Sequence, residues 1–572
     1  MKCHIICLLF IILLIFIKDS YTSTIFKKPT ALIGILARNK AHVLPYSLSL
    51  LENLNYPKNR LALWIHSDNN IDNTIEVLET WLNEQSNNYF SVNVTLDRKN
   101  YGHEDEKSFA EWSPKRFEHI IKLRENILNY ARRIWADYVF MLDVDVFLTN
   151  VETLDLLISK NKTIVAPLLK SDGLYSNFWA GMSSDFYYKR TDDYEPILTR
   201  EKIGCFSVPM VHSAVLIDLK RTVSDSLTYD SENLSLYNGP RDDIITFALG
   251  ANISGVKMHI CNDEPYGFIM VPLDNQDTID HDYQQLLNIK LEMLATEDQE
   301  SIVISNVLKR FIQYPKKDKL GFSNVYMINL VRRPERRRRM LTCFNELGIS
   351  VEIVDAVDGR TLNESLLNAW NIKMMPSYED PYHKRPMTMG EVGCFLSHYI
   401  VWNRIVEDEH SNALVLEDDV RFEPYFRQKV QYILQELEKF QSDYDLVYVG
   451  RKRMQKDSET RVEGSKYLVY AGYSYWTVGY LLSAKGAKKL IDAKPLENLV
   501  PVDEYLPIMY NQHPRDDWKG YYENRNLIAL SAEPLIIFPT HYTGDSGYIS
   551  DTENSVLIST DTSDSVHEKE EL

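Results

Sequence analysis

Short apolar runs alternate with longer amphipathic stretches along most of this chain, and the alternation restarts midway. Thr30–Leu36 (TALIGIL) is apolar, a helical pattern follows to Leu54, Asn55-Tyr56-Pro57 breaks it, and Arg60–His66 (RLALWIH) is a second apolar run. Strand, helix and strand at crossover length predict parallel pairing. Residues 114–136 carry helical spacing into Tyr138–Phe147 (YVFMLDVDVF), and Val256–His259 reads as a further strand. After a polar, weakly periodic stretch over 282–318, Asn324–Leu330 (NVYMINL) restarts the pattern. Gly390–Trp402 reads as a helix, Ala413–Val420 (ALVLEDDV) and Tyr444–Gly450 as strands, Ser483–Ile491 as a helix, and Ile536–Thr540 as a strand. The reading is α/β, with two tandem Rossmann-like domains at 28–285 and 321–548, a linker at 286–320 and a disordered acidic tail at 549–572.

Acids mark the ends of two of these strands. Glu417, Asp418 and Asp419 follow the apolar Ala413–Leu416, and Asp143 and Asp145 follow Tyr138–Leu142. The carboxyl end of a buried parallel strand is where open α/β sheets place ligands. Adjacent carboxylates repel unless a cation or a proton separates them. A hard divalent cation, Mn²⁺ or Mg²⁺, holding a substrate diphosphate suits such a cluster. Because i and i+2 side chains share a strand face, Asp143 with Asp145 and Glu417 with Asp419 are the expected ligand pairs. Each is followed by a second acidic pair, Asp242/Asp243 and Asp503/Glu504, and then by a strand-end histidine, His259 and His541. Both histidines are expected as metal ligands, and Asp503 or Glu504 as the base. Capping of the next helix is the alternative for each acidic pair. Asp68 suits a nucleoside ribose or base, or a helix cap. Arg332 and Arg333, with Arg336–Arg339, suit a phosphate or uracil clamp, or a solvated helix face. Asp418 and Trp476 complete the expected substrate contacts.

At 572 residues the chain exceeds a single core, and 44 % apolar residues with 35 Tyr and 9 Trp make it globular. A net charge of −18 argues against nucleic acid as a partner. Lys2 followed by apolar Ile5–Ile17 reads as a signal peptide over 1–20, too short for a stable membrane span of about 20 residues. The terminal Lys569-Glu570-Glu571-Leu572 resembles a KDEL-type retrieval signal, so the expected location is the endoplasmic reticulum lumen. Asn93, Asn161, Asn233, Asn252 and Asn363 are glycosylation acceptors in that compartment. Without the leader, Cys205, Cys261, Cys343 and Cys394 permit two disulfides in three connectivities.

Taken together, NVYMINLVRRPERR, GEVGCFLSHYIVW, ALVLEDDVRF, SYWTVGYLLSAKGAKKL and PTHYTGD resemble glycosyltransferase family 25, and the leader, two-half layout and KDEL-like end resemble its animal procollagen-modifying branch. The resemblance implies GT-A-type nucleotide-sugar folds in both halves. It further implies Mn²⁺-assisted transfer of galactose from UDP-galactose, with inversion, to hydroxylysine of procollagen chains. The second half departs from a strict DxD by offering Glu-Asp-Asp. Other donor or acceptor specificity, or a non-enzymatic lumenal binding role, are the alternatives, and a homodimer is left open.

Overall fold

The computed structural model describes residues 27–557, except 100–101, 235–236, 297–301, 377, 440–442, 456–458, 543–549 and 554. The expected leader and the expected retrieval signal at Lys569–Leu572 lie outside the described residues. No helix among the described residues is long and apolar enough to cross a membrane. The chain divides into two compact units.

The first unit runs to Ile279 and adds Ile304–Ile312. Its eight-stranded sheet has the spatial order Ser91–Leu96, Leu61–Ser67, Ala31–Ala37, Tyr138–Leu142, Ala214–Asp218, Ile164–Pro167, Met258–Cys261, Cys205–Val208. The first four strands pair in parallel, as the crossover lengths predict, and antiparallel Ala214–Asp218 is wedged between the fourth strand and Ile164–Pro167. Apolar residues on both faces explain the unbroken runs: Tyr138, Phe140 and Leu142 enter one core, Val139 and Met141 the other. Pro114–Arg133 is helical because Ser113 caps it, accepting from the Arg116 amide, with proline in the first turn where no amide is needed. Cys205 and Cys261, opposite one another at the sheet edge, form a disulfide, while Cys343 and Cys394 are free thiols.

The second unit takes residues 280–303 and everything from Gln313 onward. Its seven-stranded sheet runs Glu352–Asp355, Asn324–Asn329, Asn412–Leu416, Ser474–Ser483, Leu446–Arg453, Ala529–Ala532, Leu468–Tyr470. Ser474–Ser483 is the antiparallel insertion here, so both units share the GT-A-type plan. Ala413 and Val415 face one core, Leu414 and Leu416 the other. Residues 286–320, expected as a linker, are divided between the units. Ile279–Thr296 is a helix whose Leu291 and Leu294 pack into the second unit's core, and 304–312 returns to the first. Within the expected disordered tail, 550–553 and 555–557 are ordered against the helix Met389–Glu407.

Candidate active site

In the second unit the buried strand Asn412–Leu416 delivers Glu417, Asp418 and Asp419 to the sheet's carboxyl edge. The turn is fixed by backbone bonds: the Glu417 amide donates to Val478 O at 3.1 Å, and the Thr540 amide donates to Asp419 O at 2.8 Å. A short ladder between Val420–Phe422 and Ile537–Pro539 sets the second of these and brings His541 to the cleft that Glu417 and Asp419 line. A cleft of about 450 Å³ opens here, with Glu417, Asp419, Trp476, Asp503, Glu504 and His541 among its walls. A second cavity of about 120 Å³ shares Glu417 and Asp419 and reaches Arg332, Arg336 and Asp358.

The charges do not cancel. Burial, then Asp419, Asp503 and Asp418 in turn, push the Glu417 carboxyl well above the usual carboxylate range. Burial and Asp419 raise Asp418 as well, although it accepts from Asn329 Nδ2 at 2.7 Å and Arg336 Nη1 at 3.1 Å. Asp419 Oδ1 is buried with no hydrogen-bond partner. An orphaned carboxylate oxygen beside carboxyls raised by burial and then by their acidic neighbours fits a divalent cation, which would satisfy the one and offset the other. His398 also reaches the cluster, its Nε2 3.3 Å from Glu417 Oε1 and its Nδ1 2.9 Å from the Tyr480 hydroxyl. Its burial lowers its pKa to about 3, so it is a neutral imidazole. With Cys394 it closes a three-residue group around Glu417 whose ligand atoms lie within 4.8 Å of one another. The i, i+4 spacing of Cys394 and His398 in GCFLSH carried that signal in the sequence.

The two candidate bases part company. Asp503, in the first turn of the helix Val502–Met509, accepts from the Trp476 amide at 3.1 Å and from the Thr477 hydroxyl. Burial raises its pKa to about 6. Glu504, on the same wall, is drawn into a buried net. It accepts from the Tyr473 hydroxyl at 3.0 Å, from the Tyr475 hydroxyl, and pairs with His513 Nε2 at 2.7 Å. With its oxygens so engaged it anchors the wall and is a poor base. Trp476 lines the cleft, its ring against Lys452 and Tyr542. Arg332 and Arg333 both bind Asp551, a residue the sequence reading passed over.

The first unit repeats the scaffold without the same chemistry. Asp143 accepts from Arg124 Nη2 at 3.0 Å, and the same buried guanidinium donates from Nε to Asp243 at 2.6 Å. Lys40 Nζ lies 3.8 Å from Asp145. The matching ladder, Val146–Phe147 with Phe268–Ile269, places the Met270 amide on Asp145 O at 3.1 Å, as Thr540 is placed on Asp419. The counterpart of His541 is therefore Val271, not His259. His259 pairs mid-strand with Val165, three strands and roughly 14 Å across the sheet from Tyr138–Leu142. The recurrence of a strand-end histidine at similar spacing does not survive the register. Asp242 is the expected helix cap, accepting from the Ile245 amide. Asp68 is held by His119 Nε2 at 2.6 Å and His66 Nε2 at 3.0 Å; burial would raise its pKa, and these two bonds outweigh it. Asn161, Asn233, Asn252 and Asn363 are exposed, while Asn93 is half-buried on the edge strand.

A doubly built α/β protein with an acid-lined cleft at the sheet's carboxyl edge is the architecture of a glycosyltransferase. Residues 28–290 match the model for the glycosyltransferase family 25 N-terminal domain, and 322–506 that for glycosyltransferase family 25 (LPS biosynthesis protein). The chain is 50 % identical over 555 residues to a glycosyltransferase 25 family member of Aedes aegypti, covering 96 % of this chain and 91 % of that one. It is 47 % identical over 537 residues to procollagen galactosyltransferase 2 of Homo sapiens, covering 94 % and 85 %. Among solved structures, S. aureus TarS 1-349 in complex with UDP-GlcNAc overlaps 49 % of this chain and 71 % of its own at 14 % identity, but a TM-score of 0.28 carries no argument. The chain belongs to glycosyltransferase family 25.

Proposed function

We propose that the chain transfers galactose from UDP-galactose to hydroxylysine of procollagen in the endoplasmic reticulum lumen, and that the second unit carries the reaction. The observation behind this reading is the contrast between the acid clusters. In the first unit, Arg124 and Lys40 stand beside Asp143 and Asp145, and Val271 replaces a ligand. In the second, Arg336 bonds Asp418 at 3.1 Å and stands 3.8 Å from Asp419, yet burial and acidic neighbours still raise the Glu417 carboxyl and Asp419 Oδ1 has no hydrogen-bond partner, which supports a metal there. The near full-length likeness to procollagen galactosyltransferases supports galactose as the sugar transferred and procollagen as the acceptor.

Glu417 and Asp419 would hold Mn²⁺ or Mg²⁺, with His541 beside them. Such an ion supplies charge neutralisation for a leaving diphosphate. Asp503 would take the acceptor hydroxyl proton, a role supported by its lining of the cleft, its Thr477 and Trp476 bonds, and a pKa raised to about 6 by burial, which leaves it ionised at neutral pH while still basic. In-line attack by a hydroxyl so deprotonated gives inversion and a β-linkage. Trp476 offers an apolar face to the sugar, and the acidic walls suit a lysine-rich acceptor.

The deciding measurement is galactose transfer to a hydroxylysine-containing collagen peptide by the purified lumenal chain, with and without EDTA. Asp419→Asn should abolish transfer in a folded protein. Full turnover in EDTA, or by Asp419→Asn, overturns the reading.

A further inference from the structure

We propose that Asp551, outside both family-matched regions, is a positioning residue of the donor cavity. It holds Arg332 ready for the anionic diphosphate of a nucleotide sugar. The inference rests on the second unit being the transfer site.

Arg332 lines the smaller cavity and is gripped from two sides. Its Nε donates to Asp358 Oδ2 at 2.9 Å and its Nη1 to Asp551 Oδ1 at 2.7 Å. Nη2 makes no hydrogen bond among the described residues. Arg333 donates to the same carboxylate from Nε at 2.9 Å and Nη2 at 2.7 Å, and Arg336 Nη1 lies 3.8 Å from it. Three guanidinium groups would repel each other; Asp551 is the carboxylate they share, beside Asp358 on Arg332 and Asp418 on Arg336. Asp551 is only 10 % exposed.

The segment that brings Asp551 here is laced to the start of the helix Met389–Glu407. Thr388 Oγ1 donates to Thr552 O at 2.7 Å, the Gly390 amide to Ser555 Oγ at 2.8 Å, and the Met389 amide to Val556 O at 2.9 Å. Gly390 is needed for this approach, since a Cβ there would stand 2.6 Å from Thr552 O. Ser550 and Thr552 line both cavities. A wall of the site thus comes from the chain's far end, and its carboxylate fixes a guanidinium plane before any ligand arrives. Such preorganisation appears in affinity for the donor rather than in the chemical step.

The test uses the full lumenal chain with Asp551→Ala, Asp551→Asn and Asp551→Glu, and UDP with Mn²⁺ as the probe. Calorimetry should show UDP binding weakened roughly 5–20-fold in Asp551→Ala. The KM for UDP-galactose should rise by a similar factor with kcat nearly unchanged, and Asp551→Glu should recover part of the loss. Asp551→Asn keeps the side-chain volume and serves if the alanine variant fails to fold. Unchanged UDP affinity in the folded variants overturns the proposal. So does tighter binding, which would mean that the carboxylate competes with the ligand. Absence of UDP binding by the wild type overturns the donor-site reading and the proposal together.

Discussion

Replacing Asp503 with Asn separates the base from the acids around it, because one substitution should cost activity and improve stability. The Asp503 carboxyl is raised from the ordinary 3.8 to about 6 by burial. A carboxyl raised on folding favours the protonated native state, so its contribution is most favourable below pH 3.8 and is lost as pH rises through about 6. Two pKa units correspond to about 3 kcal/mol, an upper bound because the side chain still meets the cleft. Most of it, about 2 kcal/mol, should be lost between about pH 4.5 and 7. Asn has no such titration. In EDTA, where no bound cation offsets the charge, the melting temperature of Asp503→Asn relative to wild type should rise over that interval. The expected gain is about 4–8 °C, at about 2–4 °C per kcal/mol for a unit of this size. Using the pH dependence of the difference removes the constant effect of altering the Thr477 and Trp476 bonds. In the presence of Mn²⁺, kcat for galactose transfer should fall about 10²–10⁴-fold. A flat stability difference would refute the burial argument, and a variant keeping a tenth of wild-type kcat would refute the role as base.

Asp143→Asn should weaken one side of the Arg124 bridge and destabilise the first unit by about 1–3 kcal/mol, since Asp243 still pairs that guanidinium. Transfer should then track the folded fraction, read by calorimetry beside activity; complete loss in fully folded protein would put the first unit into the catalytic step. Glu417→Gln should lower the divalent-cation response of the melting temperature and abolish transfer, and an unchanged cation titration would remove Glu417 from the ligand set. Deleting Lys569–Leu572 should release the chain to the culture medium, and intracellular retention of the folded truncated form would count against retrieval.

Local pattern was enough to read the two α/β halves, because burial on both faces writes strands as continuous apolar runs whatever lies beside them. The acids after Leu142 and Leu416 were legible for the same reason: where such a run stops, the sheet edge begins. What no local pattern carries is which charge meets which. Arg124 reaches Asp143 and Asp243 from a helix, Glu504 is spent on Tyr473, Tyr475 and His513, and Asp551 meets Arg332 from 219 residues away. Ladder register decided the histidines, since one amide bond to Asp419 O brings in His541 and its counterpart on Asp145 O brings in Val271. The sequence determined where carboxylates could gather. The tertiary structure decided which of them a guanidinium holds, as Arg124 holds Asp143 and Asp243 and Arg336 holds Asp418, and which oxygen stays without a hydrogen-bond partner, as Asp419 Oδ1 does, because neutralisation depends on distances of a few ångströms between residues that spacing along the chain leaves undefined.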